Sequence, residues 1–287
     1  MDKEAVAALV VRSLAVGLCA IAALVLLHPT EGAEQPGPAV HRVAPVFEEP
    51  TQLTTHPGQD FSPATSPDGR WVAFVSDRSG NLDLWLLDLT RPLAAAIRLT
   101  SHSAQDTSPT WSPDGKRIAF ISTRTDPNGD LFVAQLPGRL EPGRLETLDE
   151  RAAPYTSLGT ADGEPTWARS GEWIVFSSAP IGETTQNIWK LDIRSGAKVQ
   201  LTEEGGFSPK YSPDDQYLVF TSTRDDPGGD IWVLRTSDLA QVKLTEGPVL
   251  DGFADWAPDG RSVFFTRYAD DTNGDGALTT EDNPSIW

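Results

Sequence analysis

Only one cysteine, Cys19, occurs in the 287 residues, and it lies in an apolar stretch near the N-terminus. An internal disulfide, a thiol nucleophile and a thiolate zinc site are therefore excluded from the rest of the chain. Histidine is nearly as scarce: His28, His41, His56 and His102, with no two at metal-ligand spacing. The motifs that announce common chemistry are missing too. There is no G-x-S-x-G elbow, no H-E-x-x-H, no P-loop and no G-x-G-x-x-G. Positive charge is in short supply, with 23 Lys and Arg against 41 Asp and Glu and a net charge of −18. That balance excludes a general nucleic-acid binder, which needs a basic face to displace counterions. Disorder throughout is excluded as well, because 39% of the residues are hydrophobic and nine are Trp. The length exceeds that of an ordinary compact domain unless the fold is an all-β barrel, sandwich or repeat array.

The N-terminus reads as a targeting segment. Residues Ser13 to Leu27 form an uncharged apolar run, preceded by Lys3 and Arg12 and followed by Pro29 and Gly32. A run of 15 residues has the length of a signal-peptide core and falls short of the roughly 20 that span a bilayer. Residues 1–33 are thus expected to be a signal peptide, or an uncleaved anchor that tethers the protein to the inner membrane through residues 5–27. Residues 34–50, with Pro36, Pro38, Pro45 and Pro50, read as an extended linker.

From residue 51 onward one pattern recurs: Ser66-Pro67-Asp68-Gly69, Trp111-Ser112-Pro113-Asp114-Gly115, Trp167-Ala168-Arg169-Ser170-Gly171, Tyr211-Ser212-Pro213-Asp214-Asp215 and Trp256-Ala257-Pro258-Asp259-Gly260. Pro-Asp-Gly is a turn tripeptide: Pro presets φ, Asp bonds its own backbone, and Gly accepts positive φ. A β-type run follows each turn, such as Trp71 to Val75 or Arg117 to Ile121, and a second starts about ten residues later, such as Asp83 to Leu89. A third ends in Leu-Thr, at Leu99-Thr100, Leu201-Thr202 and Leu244-Thr245. Several strands per repeat of roughly 40–50 residues is the signature of a β-propeller, so the fold class is all-β, with four-stranded blades. Five repeats are present, the fifth incomplete. Trp111, Trp167, Tyr211 and Trp256, at one place in the repeat, are expected to fill the space between blades, with carbohydrate stacking as the alternative role.

Pro109-Thr110-Trp111-Ser112-Pro113-Asp114-Gly115, then Ile118-Ala119-Phe120, Ser122-Thr123-Arg124 and Gly129-Asp130-Leu131-Phe132, resemble the TolB-like β-propeller repeats nearly throughout. The third repeat departs most, with Arg169-Ser170-Gly171 in the turn and Ala179-Pro180 where Arg is expected. A longer insertion, around Pro137 to Gly159, precedes it. The resemblance implies a ring of six blades. It also implies a cell-envelope setting, as for proteins of the Tol–Pal system, and a protein or peptide partner docked on a propeller face. On this alignment Gln52-Leu53-Thr54 is a leading outer strand, Ser285-Ile286-Trp287 begins the third strand of blade five, and the chain is expected to be a fragment of a longer protein.

Within the last repeat, residues 271–282 are set out like a calcium loop. Asp271, Asn273 and Asp275 stand at positions 1, 3 and 5, Gly276 at the sharp turn, the Ala277 carbonyl at 7 and Asp282 at 12. A hard cation needs six to eight oxygens, and this spacing curls them round one point. The expected cofactor is a structural Ca2+ that stiffens an inter-strand insertion. Two loops echo it more faintly, at Asp126 to Asp130 and Asp225 to Asp230.

No catalytic residue is assigned. His56 and His102 recur at one place in the repeat, each four residues ahead of an acid, Asp60 and Asp106, and a His/Asp pair could serve as a base or bind a metal. Recurrence with the blade argues for a structural role instead. Three function classes remain open: an exported, non-enzymatic interaction scaffold in the periplasm; the substrate-gating propeller of a prolyl-oligopeptidase-like serine hydrolase; and an extracellular glycan- or ligand-binding module.

Overall fold

The computed structural model describes residues 52–91, 95–138, 140, 147–157, 159–274, 278–280 and 282–287. The targeting segment and the linker lie outside these residues. The described chain forms five antiparallel sheets in sequence order, a β-propeller array. Blade one is β1 (Asp60–Thr65), β2 (Trp71–Ser76), β3 (Asp83–Asp88) and β4 (Ile97–Arg98). Blade two is β5 (Asp106–Trp111), β6 (Arg117–Ser122), β7 (Asp130–Gln135) and β8 (Ala152–Pro154). Blade three is β9 (Thr160–Trp167), β10 (Trp173–Pro180), β11 (Asn187–Asp192) and β12 (Lys198–Gln200). Blade four is β13 (Phe207–Tyr211), β14 (Tyr217–Ser222), β15 (Asp230–Arg235) and β16 (Gln241–Lys243). Blade five has three described strands, β17 (Leu250–Trp256), β18 (Val263–Tyr268) and β19 (Ser285–Ile286). The first strands β1, β5, β9, β13 and β17 pack on one another in turn, which makes them the inner wall.

The second strands of blades two to four are apolar on both faces because both faces are covered, whereas Phe264 of β18 stays exposed. Ala73, Val75, Leu84 and Leu86 of blade one meet Trp111, Ile118, Phe120 and Phe132 of blade two. The opposite face of blade two, Ala119, Ile121, Leu131 and Val133, meets Trp167, Ile174 and Phe176. Val175 and Ile188 then meet Leu218 and Phe220, and Val219 and Ile231 meet Ala254, Val263 and Phe265. Each Val, Leu, Ile or Phe among them contributes about 1.5–3 kcal/mol on burial. The repeat aromatics take the packing role: Trp111 and Trp167 are buried, and the indole N–H of Trp111 donates to the Ala64 carbonyl of blade one at 2.9 Å.

The turns form as the tripeptide dictates. In blade two Ser112 Oγ donates to Asp114 Oδ1 at 2.6 Å, the Gly115 N–H reaches the Ser112 carbonyl, and Gly115 takes φ 66°. The outer strands end just before Leu-Thr, and that dipeptide clips them to the third strand. The N–H groups of Leu99, Leu201 and Leu244 donate to the carbonyls of Leu84, Ile188 and Ile231. The hydroxyls of Thr100, Thr202 and Thr245 accept the N–H groups of those same three residues. Blade two has an unforeseen fourth copy, Tyr155-Thr156 on Leu131, after an insertion that returns through a short 3-10 turn at Leu148–Arg151.

Gln52-Leu53-Thr54 lies in no strand among the described residues, and Gln52 Nε2 donates to the Thr54 carbonyl. Ser285–Ile286 does pair with β18, as the third strand of its blade.

Candidate functional site

The inner strands and the connectors that lead into them build a polar rim at one end of the wall. Each inner strand carries a bulge, and each bulge holds one non-glycine residue at positive φ: Ser62, Ser108, Glu164, Ser208 and Phe253, at 49° to 55°. L-residues rarely adopt this region, and five repeats of it mark a constraint imposed by the blade itself. A repeated signal was present in the sequence, since Pro follows four of the five. Glu164 uses its carboxylate across a blade junction, accepting the Ser208 N–H at 2.6 Å and the Ser177 hydroxyl at 3.3 Å.

Ion pairs close the ends of the blades. Arg78 reaches Asp60 at 2.6 Å, Arg124 reaches Asp106 at 2.7 Å, and Arg267 reaches Asp251 at 2.7 Å. Arg124 also holds Asp149 of the insertion at 2.8 Å, and Asp149 accepts the Ser101 N–H. Burial works to raise the Asp60 pKa, but hydrogen bonds from Ser76 and Arg78 outweigh it and leave the group below its usual value. Asp106 lies deeper, and there burial wins over its Arg124 partner and raises the pKa.

The structure does not bring the two His–Asp repeats together as acid–base pairs. His56 Nδ1 accepts the Gly58 N–H and His102 Nδ1 accepts the Ala104 N–H, both at 3.0 Å, while Asp60 and Asp106 turn to their arginines. Each histidine therefore stabilises a local turn.

Within the 271–282 loop, Asp275 and Ala277 lie outside the described residues. Asp271 Oδ1 accepts the Gly274 N–H at 2.6 Å. Asp282 accepts the N–H groups of Thr279, Thr272 and Asn273, which together lower its pKa against the opposing effect of burial. The Asp282 oxygens thus serve backbone donors on the residues next to Asp271. No group of three or more His, Cys, Asp or Glu side chains among the described residues is set to hold a metal.

Residues 40–138 match the family model of the TolB beta propeller domain. That stretch is similar to the TolB-like propellers, and the described chain has the β-propeller fold. A structure of TolB from Acinetobacter baumannii aligns with a TM-score of 0.61 and 18% identity over 77% of this chain and 54% of that one. A protein described as a TolB from Agrobacterium tumefaciens aligns with a TM-score of 0.61 and 21% identity over 82% of both chains. At these identities the likeness shows the fold alone. By sequence, the chain is 28% identical over 109 residues to the uncharacterized peptidase YuxL of Bacillus subtilis, which is 36% of this chain and 17% of that protein. The match spans well under half the length of the curated relatives. No helix among the described residues is long and apolar enough to cross a membrane.

Proposed function

We propose that this propeller is an exported, non-enzymatic scaffold of the cell envelope that docks a protein or peptide on the rim of its inner wall. The observation that carries the reading is the placement of the only two His–Asp repeats. Both histidines hold turns and both aspartates hold arginines, so the side chains best suited to acid–base work serve the architecture. The fold likeness to TolB structures supports the scaffold role, and the apolar run before residue 33 supports export. The acidic surface favours a partner with a basic patch and speeds encounter at low salt. An alkaline phosphatase fusion after Trp287 tests export: activity is expected, and an inactive fusion held in the cytoplasm would contradict it.

The loop at 271–282 serves in this reading as a structural calcium site, with Asp271, Asn273, Asp275, the Ala277 carbonyl and Asp282 as ligands. Asp271→Ala with Asp275→Ala is expected to lower Tm in calcium and to change little in chelator. Equal effects in both conditions would remove the ion from the account.

A second reading is favoured by the match to YuxL: the propeller gates a peptidase domain. Hydrolysis of peptide p-nitroanilides by the whole gene product would support it over the scaffold.

A further inference from the structure

The blade repeats supply an internal control for buried carboxylates. At the start of the third strand, Asp83 meets Arg98 at 2.6 Å and Asp230 meets Lys243 at 2.8 Å. At the start of the first strand, Asp60, Asp106 and Asp251 each meet an arginine. Two positions break the rule, and both lie where blades two and three adjoin. Asp130 stands where Asp83 and Asp230 stand, but its outer-strand counterpart is Pro154. Pro154 pairs with Phe132 just as Arg98 pairs with Trp85 and Lys243 with Trp232. Asp162 stands where Asp60 and Asp106 stand, but Pro180 occupies the place of Arg78 and Arg124. Both cations are missing and both carboxylates are kept.

The two carboxylates are deeply buried and face each other's charge. Asp130 is fully buried and Asp162 is 6% exposed. Burial first, and the charge of Asp130 last, act to raise the Asp162 pKa against hydrogen bonds from Ser178, Thr156 and Thr160. Thr156 and Thr125 donate to Asp130, and Ser178 donates to Asp162 Oδ1 at 2.6 Å. The second oxygen of Asp162, Oδ2, has no hydrogen-bond partner. Asp83, Asp106 and Asp230 also have an unbonded oxygen, yet each has a cation within 2.8 Å. Asp126, itself buried, accepts from Asn128 and Gly159, and the Gly129 carbonyl of its hairpin accepts the Asp162 N–H. Isolated buried charge of this kind is costly until something neutralises it.

We propose that a divalent hard cation binds between Asp130 and Asp162 and supplies the charge that Arg98 and Lys243 supply elsewhere. Two carboxylates with threonine hydroxyls and backbone carbonyls are oxygen ligands of the kind Ca2+ and Mg2+ take. The depth of the carboxylates excludes a partner's side chain, which leaves a bare ion as the compensating charge. The site joins two blades, so the ion locks blade three against blade two at the repeat that departs most from the pattern.

The test uses the whole chain carrying Asp271→Ala and Asp275→Ala, so that the other loop contributes nothing. Melting curves are recorded in chelator, in CaCl2 and in MgCl2. One of the two ions is expected to raise Tm by roughly 5 °C at saturation. Asp162→Asn is expected to abolish that rise. Pro154→Lys, which restores the built-in cation, is expected to raise Tm in chelator and to leave no further response to the ion. It also decides the matter if Asp162→Asn does not fold. The proposal is overturned by an absent response to both ions, by a response that Pro154→Lys leaves intact, or by Asp162-dependent stabilisation on acidification without any ion response. The last result would mean that the pair shares a proton instead.

Discussion

The carboxylate of Asp215 in blade four accepts the backbone N–H of Arg169 in blade three at 2.8 Å, and that of Ser170 at 3.1 Å. These are the two repeats whose turns depart from Pro-Asp-Gly, and each departure explains the other. Asp215 holds the left-handed position that glycine holds elsewhere, at φ 59°, and spends that strain on capping the turn of its neighbour. Asp215→Gly removes the strain and both bonds. The net outcome expected is a loss of about 1 kcal/mol in urea unfolding, because charge-assisted bonds outweigh the backbone gain. A stabilised variant would show that the bonds contribute nothing.

The Tyr155-Thr156 clip makes a sharper prediction. Thr156→Val leaves the Leu131 N–H, which Thr156 Oγ1 meets at 2.7 Å, without its partner. A loss of about 1–2 kcal/mol is expected, matched by Thr100→Val at the equivalent Leu84 N–H. A neutral Thr156→Val beside a costly Thr100→Val would mean that the insertion does not restore the clip.

Two glycines separate backbone strain from crowding. Gly80 has φ 88° with open space around it, whereas at Gly129, φ 93°, an added Cβ would sit 2.7 Å from the Ile121 methyl. Gly80→Ala is expected to cost about 1 kcal/mol and Gly129→Ala at least about 1 kcal/mol more. Equal losses would show that Ile121 yields freely.

Acid sensitivity follows from Asp88. The Arg70 hydrogen bond, with two more from Thr90, holds its pKa down to about 2 from 3.8. A folded pKa below the unfolded one gives stability that is present above about pH 4 and is lost as pH falls toward 2. Asp88→Asn should therefore destabilise the protein at neutral pH, with a cost that shrinks below pH 4. A cost independent of pH would contradict the pairing.

The blades were legible in the sequence because each strand's apolar run and each Pro-Asp-Gly turn is local. The start of β2, β6 and β10 could be placed from Trp71, Arg117 and Trp173 alone. The outer strand of blade two was not legible, because Tyr155-Thr156 shares only its hydroxyl with Leu-Thr and follows a long insertion. Leu53-Thr54 carries the same dipeptide but lies in no strand among the described residues, because a strand also needs an edge to pair with. At the rim, the residue types at His56 and His102 were visible, but their roles depended on which N–H each ring meets in the folded turn. The arginine missing at Pro180 was visible in the repeat, but the cation missing opposite Asp130 and the approach of Asp130 to Asp162 emerge only from the strand register.

The most direct test of the scaffold reading is photo-crosslinking in intact cells. A photoreactive residue replaces His102, exposed on the rim, and in a second strain Val199, exposed on the outer strand β12. The account predicts a discrete adduct with one envelope protein from position 102 and none from position 199. No adduct at the rim, or the same adduct from both positions, would contradict it.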